Sequence, residues 1–307
     1  MKKVLVTGAA GFIGRHTLSP LLMAGFEVHA LDRVVPPWAG DAATVHWHQV
    51  DLFQTESVAQ LMAQVRPSHL LHLAWDATPG AYWTTAANLD WLAASLQLVS
   101  RFQQQGGQRV VVTGTSAEYD WDRGGIMQEH DAHLKPRGLY GVCKNALRLA
   151  GESFAAQHGL SWGWARLFCV YGPHERPERL IPRIICSCLR QQPVVMEAGT
   201  EQRDFMYVED VAAALAALLA AEVSGAVNVA SGVLSGIQAV VTQIAVELNA
   251  PHIVQWLPKR TARGEPEVLG ADTQRLNQEV GWTPACDLRS GLERTCTWWR
   301  GALKPAS

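Results

Sequence analysis

Short apolar runs alternate with amphipathic stretches through the first half of the chain. Val4–Thr7, Glu27–Asp32, Val45–Val50, Leu70–Ala74 and Val110–Thr113 read as strands, and Leu160–Val170 as the next. Between them Gly14–Ala24, Ser57–Val65, Asn88–Gln105 and Tyr140–His158 carry helical spacing, with Gly25 and Gly106-Gly107 as stops. Strand–helix alternation of this kind predicts βαβ units and a parallel sheet covered on both faces, a doubly wound α/β fold. The texture changes after Tyr171-Gly172-Pro173, where Pro173, Pro177, Pro182 and Pro193 punctuate shorter elements. We therefore expect a first domain over 1–171, with 205–230 returning to it through an apolar helix and the strand Ala226–Val229. A smaller substrate-binding region is expected over 172–204 and 231–307.

Composition narrows the partners. Of 307 residues, 48% are hydrophobic and 18% charged, and the net charge is −2 without a basic run, so no nucleic-acid footprint is present. The most apolar stretch, Val211–Val223, is too short to span a bilayer and follows Glu209–Asp210, so no membrane partner is expected. Lys2-Lys3 resembles the start of a leader, but the apolar run breaks after three residues into a glycine-rich turn, which predicts a buried first strand. The six cysteines (143, 169, 186, 188, 286, 296) show no zinc spacing. They read as free thiols of a cytoplasmic protein, Cys186 and Cys188 on different faces of a helix, and no metal is expected. The twelve tryptophans, Trp162, Trp164, Trp298 and Trp299 among them, read as packing.

One turn brings chemistry into view. Thr7-Gly8-Ala9-Ala10-Gly11-Phe12-Ile13-Gly14 follows a strand and opens a helix, the Rossmann arrangement for a dinucleotide. Gly8 permits the tight turn, Gly11 close approach to a pyrophosphate, and Gly14 close packing of helix on strand. Phe12, Ile13 and the N–H groups of the helix start face the anion. Asp32 ends the second strand near the expected spacing of about 20 residues and would accept from the ribose hydroxyls while repelling a 2′-phosphate. NAD(H) is thus the expected cofactor, and Arg33 leaves NADP(H) open. Asp51 and Leu52 are placed to meet the adenine, and Leu73, Ala74 and Trp75 lie where the cofactor should cross the sheet.

Tyr140 and Lys144 stand one turn apart at the start of a helix, so they share a face. The ammonium is expected to lower the phenol from its ordinary pKa of about 10 and to hold the nicotinamide ribose. Thr113-Gly114-Thr115-Ser116 ends the preceding strand and offers a hydroxyl to a substrate oxygen. His72, between leucines, reads as a structural histidine near the cofactor, Arg166 as a brace, and Asn88 as a helix cap or an orienting group.

Taken in order, TGAAGFIG, Asp32, Asp51-Leu52, HLAW, the Thr115/Ser116 turn and YGVCK resemble the extended short-chain dehydrogenase/reductases, the NAD-dependent epimerase/dehydratase family of nucleotide-sugar enzymes. The likeness continues through RLFCVYGP (166–173), RDFMYVED (203–210) and GWTP (281–284). It implies hydride transfer at a sugar carbon, with Tyr140 exchanging the hydroxyl proton, Thr115 bonding the same oxygen and Lys144 tuning Tyr140. Counting four residues back from Tyr119 selects Thr115, with Ser116 as its neighbour. Dehydratases of the family carry Thr-Asp-Glu here, whereas this chain has Ser116 and Ala117, which cannot eliminate water. Glu118, on an extended segment, would point to the opposite face. Cys169 stands where the family has Asn, and Asp120 follows Tyr119 in place of glycine. For the substrate pyrophosphate, Arg203 and then Arg263 are the candidate guanidinium groups. The resemblance further implies a homodimer through Asn88–Gln105 and Tyr140–His158, with Leu92, Leu96 and Val99 available. Two activities fit: a reductase of a 4-keto-6-deoxy nucleotide-sugar, which the Thr-Ser-Ala-Glu-Tyr turn favours, and a C4-type epimerase that retains NAD. A non-catalytic dinucleotide sensor on the same fold is a third reading, which the complete Thr115, Tyr140 and Lys144 set disfavours.

Overall fold

The computed structural model describes residues 2–41, 44–130, 133–259 and 265–303. Its strands are β1 (Lys2–Thr7), β2 (Phe26–Asp32), β3 (Val45–Gln49), β4 (His69–His72), β5 (Arg109–Thr115), β6 (Gly125–Met127), β7 (Ser161–Leu167), β8 (Cys169–Tyr171), β9 (Val194–Glu197), β10 (Gln202–Tyr207), β11 (Gly225–Val229), β12 (Leu234–Gly236), β13 (Val254–Leu257) and β14 (Val268–Ala271). Its helices are α1 (Gly14–Met23), α2 (Thr55–Val65), α3 (Ala87–Gln104), α4 (Gly138–His158), α5 (Leu180–Leu189), α6 (Val208–Ala220), α7 (Ile237–Glu247), α8 (Gln274–Gln278) and α9 (Leu288–Ala302).

Seven strands form a parallel sheet in the order β3-β2-β1-β4-β5-β7-β11, the Rossmann-type doubly wound arrangement. Val4, Leu5 and Val6 of the central β1 are wholly buried because helices cover both faces. Val4, Val6, Val28 and Ala30 pack with residues of α1 and α6 on one side, and Leu5, Leu31 and Leu70 with residues of α2 and α3 on the other. The strand order reverses between β1 and β4, which opens a crevice beyond their C-terminal ends.

Two smaller sheets complete the molecule. β12-β10-β14-β6, with β8 beside β10, forms one, and β13 pairs with β9 in the other. α5, α7 and α9 close a separate apolar core that includes Ile184, Ile244 and Leu292. The run Leu160–Val170 is not one strand: it breaks at Phe168, so β7 belongs to the large sheet and β8 to the second. The segment expected to return to the first domain divides as well. Phe205–Tyr207 lies in β10 of the second sheet, α6 packs on α1, and β11 pairs parallel with β7.

α3 and α4 pack side by side. Val99 lies in the chain's own core, and Leu92 and Leu96 pack against it half-buried. The apolar side chains that these helices present to solvent are instead Leu89, Val142 and Leu149.

Candidate functional site

A cleft of about 950 Å³ runs along the C-terminal ends of the large sheet and continues against the second sheet. That volume is near the upper end, roughly 1,000 Å³, of small-molecule sites. Gly8, Gly11, Phe12, Ile13 and Gly14 line one end with Asp32 and Arg33, and Asp51 and Leu52 flank them. Leu73, Ala74 and Trp75 line the middle, and Thr115, Ser116, Tyr140, Lys144, Cys169 and Arg203 the far end. Arg263 falls outside the described residues.

The glycine turn fits a dinucleotide for steric reasons. Gly8 has φ +69°, and a Cβ there would meet the Ala74 backbone at 2.9 Å. A Cβ on Gly14 would come within 2.1 Å of the Gly8 carbonyl oxygen, so any larger residue would push the helix off the turn. Ala10 N–H and Arg33 N–H donate to the two carboxylate oxygens of Asp32, at 3.0 and 2.8 Å. Among the described residues that carboxylate has no cation within ion-pair distance, and its oxygens can still accept from hydroxyl groups. Asp51 accepts from Phe53 N–H at 3.0 Å, which fixes its carboxylate at the edge of the cleft. Thr7 Oγ1 accepts from Leu73 and Ala74 N–H and lies 2.6 Å from His72 Nδ1, while His72 Nε2 lies 2.8 Å from Ser95 Oγ. Burial, then the Lys144 charge, drives the His72 pKa down to about 3, so this ring braces the crossing point as a neutral group.

At the far end a cage of rings surrounds Tyr140. Tyr82, Trp83 and Trp75 present edges or faces to it at 4.9, 5.9 and 6.3 Å. Burial in this cage raises the phenol above its ordinary range, against the pull of its hydrogen bond with Thr115. The downward shift expected from Lys144 is therefore reversed in the protein alone. Lys144 Nζ donates to Thr113 O at 2.9 Å and sits 4.1 Å from the Trp75 ring centroid. Burial lowers its pKa to about 7, with Glu118 opposing. Asn88, buried at the start of α3, accepts from Trp75 Nε1 at 2.9 Å and donates to Tyr82 O and Thr85 O. It positions two walls of the cage, the orienting alternative of the sequence reading.

Glu118 does turn away from the cleft, but by a different route from the expected strand alternation. Ser116–Glu118 forms a 3₁₀ turn in which Thr115 Oγ1 accepts from Ala117 N–H and Glu118 accepts from Thr115 N–H, a reciprocal cap. The Glu118 carboxylate is then wholly buried against Arg166 Nε at 2.9 Å and Trp164 Nε1 at 3.0 Å. Arg166 also donates to Tyr119 Oη, so it braces the turn from below. Trp121 Nε1 donates to Ser116 O from above. Arg203 is held by Pro266 O and Gln202 O, each at 2.9 Å, and by Glu265 at 3.0 Å, with its guanidinium at the cleft wall. Burial pushes the Cys169 thiol up to about 12, which leaves it protonated.

Sequence reasoning missed a group of residues on loops. Tyr82 and Trp83 were not singled out, although the aromatic residues Trp75, Tyr82, Trp83 and Trp91 fall within 17 positions, whereas the loop after Tyr119 that carries Trp121 is expected to shape the sugar pocket. Glu175, Arg176 and Arg179 also line the cleft. Arg176 donates to Thr78 Oγ1 at 3.1 Å and meets no carboxylate within ion-pair distance among the described residues. Arg179 donates to Ala77 O and lies over the Tyr82 ring. Burial lifts the Glu175 carboxyl to about 8, Arg179 opposing, and its Oε2 atom is buried with no hydrogen-bond partner. Of the two guanidinium groups, Arg179 therefore acts on an acid that is neutral near neutral pH.

The profile of the NAD dependent epimerase/dehydratase family matches residues 4–230. The chain is 27% identical to UDP-glucuronic acid decarboxylase 1 of Xenopus tropicalis, covering 99% of this chain and 73% of that protein. UDP-glucose 4-epimerase of Thermus thermophilus, solved with NAD, superposes with a TM-score of 0.83 at 27% identity, covering 98% of this chain and all of that one (100%). MoeE5, solved with UDP-glucuronic acid and NAD, does so with a TM-score of 0.83 at 32% identity over the same 98% and 100%. The glycine turn, the fixed Asp32 and the Thr115, Tyr140 and Lys144 set thus belong to an extended short-chain dehydrogenase/reductase whose cofactor is NAD, and the chain is a member of the NAD dependent epimerase/dehydratase family.

Proposed function

We propose that this chain is a C4 epimerase of a nucleoside-diphosphate-linked hexuronic acid and keeps its NAD between turnovers. One observation carries the reading. Thr115, Tyr140 and Lys144 are complete in one cleft, while Ser116 and Ala117 line it where elimination of water would need carboxylates. The comparisons favour the epimerase over the ketoreductase that the Thr-Ser-Ala-Glu-Tyr turn suggested, since both activities use the same proton-transfer set and a similar 4-epimerase spans the whole fold. Arg176 and Arg179 supply the uronate part: two guanidinium groups lining the same cleft as a protonated Glu175 suit a sugar carboxylate, which binds guanidinium bidentately.

The Gly8–Gly14 turn and Asp32 would hold NAD, which would supply a reversible hydride acceptor for C4. In its phenolate form Tyr140 Oη takes the proton of the C4 hydroxyl, becoming the phenol, and gives it back on the return step, while Thr115 Oγ1 bonds the same oxygen and keeps it in line. Lys144, with a pKa of about 7, moves between ammonium and amine in the working range and offsets charge on Tyr140. The aromatic cage excludes water while leaving flat walls along which the 4-keto sugar can turn its other face to the cofactor. Arg203 meets the pyrophosphate, in exchange for its bond to Glu265. A homodimer formed through α3 and α4 would cover Leu89, Val142 and Leu149.

The deciding experiment is mass spectrometry of the small molecules released when purified protein is denatured, paired with incubation with UDP-glucuronate without added cofactor. Retained NAD and formation of UDP-galacturonate without solvent deuterium at C4 are expected. An empty protein that consumes NADH on a 4-keto-6-deoxy nucleotide-sugar would establish the reductase instead.

A further inference from the structure

Remote from the cleft chemistry, the β3 edge of the large sheet carries a group of side chains with no role in the readings above. Alternate residues of a strand share a face, so Glu27 and His29 project together from β2, and His46 and His48 from β3. The parallel register sets His29 opposite His46, and Lys3 of β1 opposite Glu27. Glu27 Oε1 lies 3.0 Å from His29 Nε2 and 4.0 Å from His46 Nε2. One ligand atom from each of these three residues lies within 4.8 Å of the others. Four-coordinate zinc, with bonds of about 2.0–2.2 Å, spaces its ligands by roughly 3.5 Å. Closing the set therefore needs a movement of about an ångström. His46 can supply it, because its side chain is 57% exposed.

We propose that Glu27, His29 and His46 bind one divalent transition-metal ion of the zinc class, with water completing its shell. Two imidazoles and a carboxylate suit zinc, cobalt(II) or nickel rather than calcium or magnesium, which take oxygen-rich shells. His29 Nδ1 lies 2.9 Å from His48 Nε2, and this second contact orients the ring. Without the ion, a proton on His29 Nε2 faces Glu27. With the ion, that proton resides on Nδ1 and is donated to His48, leaving the Nε2 lone pair for the metal. Lys3 Nζ, 3.7 Å from Glu27, is the cation facing the group, and it weakens the site without blocking it. The ion would clip the edge strand β3 to β2. Searching for zinc-type cysteine spacing could not find this, because the ligands come from two strands 19 residues apart that only the sheet joins.

The test uses the tag-free chain with zinc alone and, separately, cobalt(II) alone. Saturating zinc should raise the melting temperature by a few degrees, and cobalt should give the intense visible absorption of a four-coordinate ion. Both effects should vanish in His46→Gln and Glu27→Gln and return in His46→Cys, with retained NAD and turnover unchanged throughout. An unshifted melting temperature, a weak six-coordinate cobalt spectrum, or an equal zinc effect in His46→Gln would overturn the proposal.

Discussion

The two ends of the cleft are finished to different degrees. At the dinucleotide end the polar groups already have partners: Asp32 accepts two backbone N–H groups, and Thr7 ties β1 to the start of the loop after β4. At the sugar end, Glu175 Oε2 is buried without a partner and Arg176 holds only a threonine hydroxyl among the described residues. A preformed site loses little freedom when its ligand arrives, whereas a site with open valences is completed by the ligand. A common cofactor suits the first arrangement, and a family with many sugars suits the second. Changes at the sugar end should therefore alter substrate handling and leave NAD retention alone.

The largest expected effect lies where the two ends meet. Tyr140→Phe should lower kcat about 10²–10⁴-fold while NAD stays bound, as read by turnover and released-cofactor assays. Loss of NAD with the hydroxyl would show that the cage, not proton transfer, depends on it. Next is the brace beneath the turn. Arg166→Met leaves the buried Glu118 with Arg148, 3.9 Å away, as its remaining cation and should cost at most about 3–5 kcal/mol in urea unfolding. An unchanged midpoint would mean that Arg148, Trp164 and the turn backbone satisfy Glu118 without it.

Arg176→Ala is the sharper probe of the comparison. Removing a charged hydrogen-bond donor should raise KM for a UDP-uronate by roughly 10–100-fold. NAD retention should stay unchanged, and a neutral UDP-hexose should be affected less. If both substrates suffer equally, Arg176 serves the nucleotide. The smallest effect concerns pH. Glu175 is a carboxyl with a raised pKa of about 8, so it is neutral below that value and ionised above it. Ionisation places a negative charge beside an anionic substrate, so KM should climb by a few-fold above pH 8, and Glu175→Gln should flatten the climb. The same sign applies to stability: the raised pKa favours the folded state at low pH, and that advantage is lost as pH rises from the unfolded value toward about 8.

What could be read from the sequence follows the same division. Thr7 to Gly14, Asp32 and the Tyr140/Lys144 pair were legible because each depends on spacing within one turn, strand or helix. Leu73, Ala74 and Trp75 needed only the position of the strand-order reversal. Arg176 and Trp83 were not legible, because loops carry them to the cleft and nothing in their immediate neighbours fixes where those loops go. Glu118 shows the limit within a motif: period-two alternation gave the right direction, yet a three-residue 3₁₀ turn with a reciprocal cap produces it. Tyr140 shows the limit for energetics, since a lysine one turn away is visible in sequence and the ring cage that outweighs it is not.

The second sheet also fixes an order of assembly during synthesis. β6, at residues 125–127, can pair only with β14, at 268–271, while β8 waits for β10. Strands β1 to β5 and β7 can associate once the first 167 residues have emerged, and β11 then adds at the open edge. The dinucleotide cradle therefore takes shape while much of the chain is still being made. The sugar-binding wall, built from contacts distant in sequence, closes last and slowly. In the interval the nascent chain carries a cradle able to engage NAD before any substrate pocket exists, so the cofactor can act as a folding template as well as a reagent.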